Sequence, residues 1–300
     1  MPLQLLFVAS LLPFISAARR LAQDQQPLLL QYHNGPSFRK ISINLIWYGK
    51  FKPSQRAIVS DFITSLSSSK TTPHQPSVAA WWNTIDKYYL LIKSKKSTSL
   101  GLSLGTQILD ENYSLGKSLT SRNLKQLAAK GQQSNAINPL KGSAPAGAEH
   151  MGLLPAPRLL RLMARSPSSH TSGWVTRDSV PRSMRMAIPP AHLRTPESTL
   201  SAPNNDVGME GIVMNLASLL AGTVTNPFGN GYYQGSAEAP LEAASACPGI
   251  YGKGAYPGYA GKLLEDHTTG ASYNANGVNG RKYLLPALLD PSTSTCSTLV

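Results

Sequence analysis

The chain has 300 residues, with 28 Lys and Arg against 15 Asp and Glu, a net charge of +13 at pH 7 and two cysteines. That length accommodates one large domain or two small ones. The basic excess invites a nucleic-acid reading, but no RNA- or DNA-binding motif accompanies it. An acidic polysaccharide or another anionic surface is the better expectation for a partner, and a merely solvated basic surface accounts for the charge equally well.

Residues 5–15 (LLFVASLLPFI) are almost entirely apolar, then Ser16, Ala17 and Ala18 give way to Arg19 and Arg20. An apolar run too short to anchor in a bilayer, closed by small residues, is the order of a secretory signal cleaved after Ala17 or Ala18. No later stretch is expected to reach the length of a membrane span, so the mature chain is expected to be exported and without membrane contact. Cys247 and Cys296 are few for an exported protein and are candidates to pair with each other.

The segment ISINLIWYGKF alternates Ile41, Ile43 and Leu45 with Ser42 and Asn44, which predicts a strand over 41–48. Pro53 opens a helix over 54–66 whose apolar face is Ile58, Val59, Phe62, Ile63 and Leu66. VAAWWNTIDKYYLL predicts an aromatic-rich helix. Trp81, Trp82, Tyr88 and Tyr89 have the makings of a stacking platform, but aromatics at that spacing are read as core. LGTQILDENYSLG predicts a short strand and a turn, with Asn112-Tyr113-Ser114 an N-glycosylation sequon that belongs on the surface. A helix follows, opened by Thr120 or Ser121 and closed at Gly131.

Between residues 140 and 199 the pattern is lost: arginines (Arg158, Arg161, Arg165, Arg177, Arg182, Arg185, Arg194) and prolines are scattered with no period of 2 or 3.6. Regularity returns in APNNDVGMEGIVMNLASLLAG. There the capping cluster Asn204, Asn205 and Asp206 precedes a helix over 208–221 with Gly222 as its stop. Beyond it TVTNPFGNGYYQG reads as turn and loop, and CPGIYGKGAYPGYAG as a turn-rich surface.

The stretches QYHNGP, ISINLIWYGKFKPSQRAIVSDFITSL, SVAAWW, QILDENYSLGKSLT, APNNDVGMEGIVMNLASLLAGTVTNPFGNGYYQG and SYNANGVNGRKYLLPALLDPSTSTC resemble the EXORDIUM (phosphate-induced protein 1) family of secreted plant proteins. The resemblance covers residues 28–138 and 201–300. It implies a secreted, extracellular protein of the apoplast or cell wall, linked to growth, cell expansion and brassinosteroid or nutrient responses, and the sequon at Asn112 adds the expectation of a glycoprotein. It supplies no catalytic activity.

Family members carry, where residues 140–199 stand, stretches like YIWVGNS and QCPGQCAWPFHQP. Read one frame away, the codons of 170–176 can encode YIWVGNS, and in the other alternative frame those of 178–190 can encode TQCPGQCAWPFHQ. Met184-Arg185-Met186 holds a Cys codon and, two positions on, a Trp codon, provided Arg185 uses a CGN codon. We therefore read 140–199 as an out-of-frame translation. Its eight basic and three acidic residues supply +5 of the +13. Four family cysteines would be lost with it, and Cys247 and Cys296 would lose their partners. Sequencing the transcript across codons 135–205 decides between this reading and a genuine insertion.

The order of strand, helix and a later helix running into Thr225-Asn226-Pro227 distantly resembles zincin-type metalloproteases. There two metal ligands at i and i+4 on one helix precede such a turn. Aligned on that turn, Ser218, Leu219 and Gly222 stand where the first ligand, the catalytic Glu and the second ligand belong, and none can do that chemistry. His33, His74 and His267 are isolated, and no nucleophile elbow or phosphate loop is present. Tyr232, Tyr233, Tyr251, Tyr256 and Tyr259 could line a sugar-binding face, against a reading as structural turns.

The expectation is thus a single α/β domain, zincin-like in layout, with a turn-rich C-terminal part and an irregular centre. Its parts are a signal peptide (1–18), an N-terminal part (19–139), the aberrant segment (140–199) and a C-terminal part (200–300). No catalytic, metal or cofactor residue is expected. A wall polysaccharide or an apoplastic protein is the expected partner, and a divergent extracellular hydrolase is the competing reading.

Overall fold

Strand β2 (Lys40–Tyr48) lies parallel to β3 (Gly101–Asp110), in register from Lys40 opposite Gly101 to Tyr48 opposite Asp110, with one irregularity between Ile43 and Leu45. Parallel strands need a long crossover, and here two helices supply it, α1 (Pro53–Leu66) and α2 (Val78–Leu91). The computed structural model describes residues 28–35, 40–68, 75–91, 100–133, 200–236 and 240–300. The signal-like residues 1–18 and the segment 140–199 lie outside the described residues.

Helix α1 begins at Pro53, whose missing N–H costs nothing in a first turn, and the backbone N–H of Lys52 donates to the Gln55 side chain at 3.0 Å. Its expected face is its buried face, with Phe62 and Ile63 fully enclosed. In α2 the aromatic residues are core: Trp81, Trp82 and Tyr88 are buried, and Tyr89 packs against them. Helix α3 (Ser121–Gln133) runs past Gly131, where the sequence suggested a stop, and is opened by Thr120 and Asn123, each accepting the other's backbone N–H.

Helix α4 (Val207–Thr225) is capped by Asp206, which accepts the Met209 N–H at 3.0 Å. It too outruns its predicted end. Gly222 is an interior position, and a Cβ there would run into the Glu242 carboxylate, so this glycine serves a close approach and not a stop. Residues 223–225, expected as loop, are helix. At 19 residues α4 is also long and apolar enough to cross a membrane by length and composition, contrary to the expectation that nothing after the N-terminus would be. Its burial inside the protein marks it as a core helix.

The remaining strands are short: β1 (Gln31–Tyr32) pairs with β4 (Tyr232–Tyr233), β5 (Leu264–Glu265) with β6 (Ser272–Tyr273), β7 (Ala275–Asn276) with β8 (Lys282–Tyr283) and β9 (Leu288–Asp290) with β10 (Thr295–Ser297), all antiparallel. Two-residue ladders hold little by themselves, so the C-terminal part depends on docking. Tyr283 donates its hydroxyl to the Ile58 carbonyl at 2.8 Å, Trp81 Nε1 to Pro286 at 2.7 Å and Tyr88 to Leu289 at 2.6 Å. Arg281 pairs with Asp61 at 3.0 Å, and Lys87 with Asp290. One continuous apolar core joins Phe62, Ile85, Met209, Val213, Tyr283 and Leu288, which makes both halves one α/β domain.

Cys247 and Cys296 are joined in a disulfide that ties the loop after Glu242 to β10, across a separation of 49 residues. The expectation that they had lost their partners does not hold, because each is the other's partner, and no free cysteine exists among the described residues. A loop of that length gives about 2–5 kcal/mol of stabilisation. The double variant Cys247→Ser/Cys296→Ser is expected to lose that amount in urea unfolding, and thiol titration of the denatured, unreduced chain should find no reactive thiol.

Candidate functional site

The metalloprotease comparison is tested at the end of α4. Ser218 turns its hydroxyl back onto the Met214 carbonyl at 3.1 Å, Leu219 is apolar and Gly222 has no side chain, so the aligned positions present no ligand set. Among the described residues no three His, Cys, Asp or Glu side chains converge as metal ligands. What occupies the place is structural. Asn226 is fully buried; its side chain accepts the Gly231 N–H at 2.7 Å and donates to Glu242 Oε1 at 2.8 Å, binding the helix end to the two loops beyond it.

Of the isolated histidines, one is packed and one lies at the surface. His33 stacks on Tyr233 with ring centroids 3.7 Å apart and its Nδ1 lies 3.1 Å from the Gly231 carbonyl, while His267 is exposed. His74 lies outside the described residues. Asn112 is exposed in the turn after β3, held by Asp110, whose carboxylate accepts the Ser114 N–H at 2.9 Å.

The five tyrosines divide. Tyr232 and Tyr251 are buried, and burial pushes the Tyr232 phenol up to about 12 and the Tyr251 phenol higher still, so both stay neutral. Tyr233 is half-buried against His33. Tyr256, by contrast, is 65% exposed and leans on the half-buried Tyr259, centroids 5.1 Å apart and rings tilted by 38°.

Tyr256 and Tyr259 exchange backbone hydrogen bonds of 3.1 and 2.8 Å around Pro257-Gly258. Proline pre-sets the first central position, and Gly258 takes the positive φ of 96° that the second requires in a type II turn. Below the turn, Tyr251 and Gly252 both donate to the Ala260 carbonyl, and Lys262 donates to Lys253 at 3.0 Å. Residues 251–262 thus form a finger with two tyrosines at its tip and the exposed side chains of Lys253 and Lys262 on its flanks. Neither lysine forms an ion pair among the described residues, although the Lys253 N–H donates to the Val300 carbonyl.

The finger is rooted on α4. The buried Tyr251 hydroxyl reaches Met214 Sδ at 3.7 Å, and the Tyr251 carbonyl accepts from Asn274 Nδ2 at 2.8 Å. Beside this root lies Glu210, 1% exposed, whose Oε1 accepts the Leu284 N–H at 2.7 Å and whose Oε2 has no hydrogen-bond partner among the described residues. Burial pushes its carboxyl up to about 8, against the opposing pull of the Leu284 N–H. Sequence reasoning passed over Glu210, although the signal was there: it shares a helical face with Val213, Met214 and Ala217, where an acidic residue has no place unless buried deliberately.

Residues 30–299 match the family described as "Phosphate-induced protein 1 conserved region". The chain is 57% identical over 313 residues to Protein PHOSPHATE-INDUCED 1 of Nicotiana tabacum, covering 99% of this chain and 98% of that protein. It is 56% identical over 308 residues to Protein EXORDIUM of Arabidopsis thaliana, covering 99% and 98%. With EXORDIUM-like 1 of Arabidopsis thaliana the identity is 52% over 300 residues, covering 98% and 97%. No solved structure matches.

Gly252 and Gly254 separate packing from strain in the finger. A Cβ on Gly252 would press into the Lys262 backbone, whereas Gly254, with a φ of 77°, faces open space. Gly254→Ala is expected to cost about 1 kcal/mol. Gly252→Ala should cost more and raise proteolysis within 251–262; equal, small effects would contradict the finger.

Proposed function

We infer the role of this chain from its family: it belongs to the EXORDIUM (phosphate-induced protein 1) family, and is a secreted protein of the plant apoplast and cell wall, concerned with growth and cell expansion and not with catalysis. Within that role we propose that it works by binding, and that its partner is an acidic wall polysaccharide rich in uronate. The observation that carries this reading is the tyrosine finger. The exposed Tyr256 ring, backed by the half-buried Tyr259, offers an apolar face to a pyranose, and the two flanking ammonium groups offer charge to a carboxylate.

The basic balance of the chain supports the same partner. Even without the contribution of 140–199, most of the net charge remains in the family-like parts. Long-range attraction of that kind speeds encounter with a polyanion and weakens as salt rises. The zincin-like order of elements enters this proposal as ancestry of scaffold alone. A divergent hydrolase would need a convergent acid–base pair or ligand set facing α4, and Ser218, Leu219 and Gly222 provide neither. An N-glycan on Asn112 belongs to the proposal as a surface modification of the exported chain.

Binding of oligogalacturonides to the secreted full-length chain tests this reading. Tyr256→Ala is expected to weaken binding by about 5-fold to 150-fold, given roughly 1–3 kcal/mol for a ring-stacking contact of the kind measured on nucleic-acid bases. The pair Lys253→Gln/Lys262→Gln should weaken it further and flatten the salt dependence. Binding that is unchanged in Tyr256→Ala, or equal for neutral glucans, would count against it.

A further inference from the structure

We propose that Glu210 is a proton-dependent latch at the root of the tyrosine finger, closed while its carboxyl is neutral and loosened when it ionises. The argument begins with position. Glu210 stands in the first turn of α4, enclosed together with Met214, Tyr251 and Leu284. These residues belong to three separate segments: α4, the start of the finger and the stretch after β8. The carboxyl is therefore where the finger, the C-terminal part and the core helix meet.

Its hydrogen bonding is half complete. Oε1 accepts the Leu284 N–H, and Oε2 accepts nothing among the described residues. As a neutral acid the group leaves one O–H unsatisfied, whereas as a carboxylate it leaves a buried charge with a single donor, which is the costlier state. The titratable groups facing it are phenols, Tyr251 from the finger and Tyr283 from β8, both kept neutral by burial. Asp206, one turn earlier, is committed to the Met209 N–H. Among the described residues no cation pairs with Glu210.

The consequence for pH follows from sign. The folded group holds its proton up to about pH 8, while the unfolded chain gives it up near the ordinary value of 4.5. Between those values the native state binds the extra proton, so stability is full in acid and declines as pH rises, until both states are ionised. An ionised carboxylate draws water toward Oε2, and that water has to part Glu210 from the residues that enclose it, Tyr251 and Leu284 among them. Opening there frees the base on which Tyr256 and Tyr259 are presented. The affinity arm of this inference rests on the finger being the polysaccharide site; the stability arm does not.

The test uses the secreted full-length chain. Carbon NMR of the Glu210 carboxyl should show a midpoint near pH 8 in the folded protein. The unfolding equilibrium constant should rise roughly a hundredfold or more between pH 5 and pH 8, and Glu210→Gln should abolish that rise. Oligogalacturonide affinity should fall over the same range in the native chain and stay level in Glu210→Gln. A carboxyl titrating in the ordinary range, or the same pH slope in Glu210→Gln, overturns the latch. If Glu210→Gln fails to fold, the carboxyl titration of the native chain decides by itself. If that titration is as expected but no oligogalacturonide binds at any pH, the latch stands and the ligand assigned to the finger falls.

Discussion

The hydroxyl of Tyr88 on the Leu289 carbonyl, seconded by Trp81 on Pro286 and Tyr283 on Ile58, holds this domain together. The residues it joins are about 200 apart in sequence. The C-terminal part has two- and three-residue ladders, too short to satisfy its own backbone, so Tyr88 and Trp81 reach across the core to do it, and Tyr283 returns a donor to α1. A buried carbonyl stripped of such a donor costs about 1–3 kcal/mol, a large share of what a domain has in reserve. The same rings carry the burial that makes the interface apolar, so polar satisfaction and packing come from one set of side chains.

Docking of that kind fixes where α4 lies. The helix is enclosed on most of its surface between the α1–α2 pair and the C-terminal turns, and this accounts for a composition long and apolar enough for a membrane span in a helix that is core. Enclosure also explains the two unusual residues on it. Gly222 lets the Glu242 carboxylate approach the helix, and Asn226 then binds that carboxylate and the next turn. The place where a metalloprotease would keep its ligands is filled by this bracket. In the finger, glycines at 252 and 261 let two backbone segments come closer than side chains would permit.

Much of this was legible in the sequence where periodicity operates. The alternation of Ile41, Ile43 and Leu45 announced β2, and the spacing of Ile58, Phe62, Ile63 and Leu66 announced α1. The aromatic run of α2 was rightly placed in the core. Two helix ends were misjudged at a glycine: Gly131 and Gly222 both sit inside helices, and at Gly222 the residue serves a close approach to Glu242, which looks like a stop when the neighbour is not known. The pairing of Cys247 with Cys296 stood open because two cysteines in an exported chain fit either mutual pairing or lost partners. Among the tyrosines, sequence offered five candidates on equal terms. Only tertiary burial separates Tyr251, sealed against Met214, from Tyr256, open to water.

The central claim is that this extracellular family member acts by binding an acidic polysaccharide through residues 251–262. Hydrogen-exchange footprinting of the secreted chain with and without an oligogalacturonide addresses it most directly. The account predicts protection concentrated in 251–262, with the oligosaccharide recovered at its original length. Protection confined to other surfaces, or shortening of the oligosaccharide, would contradict it.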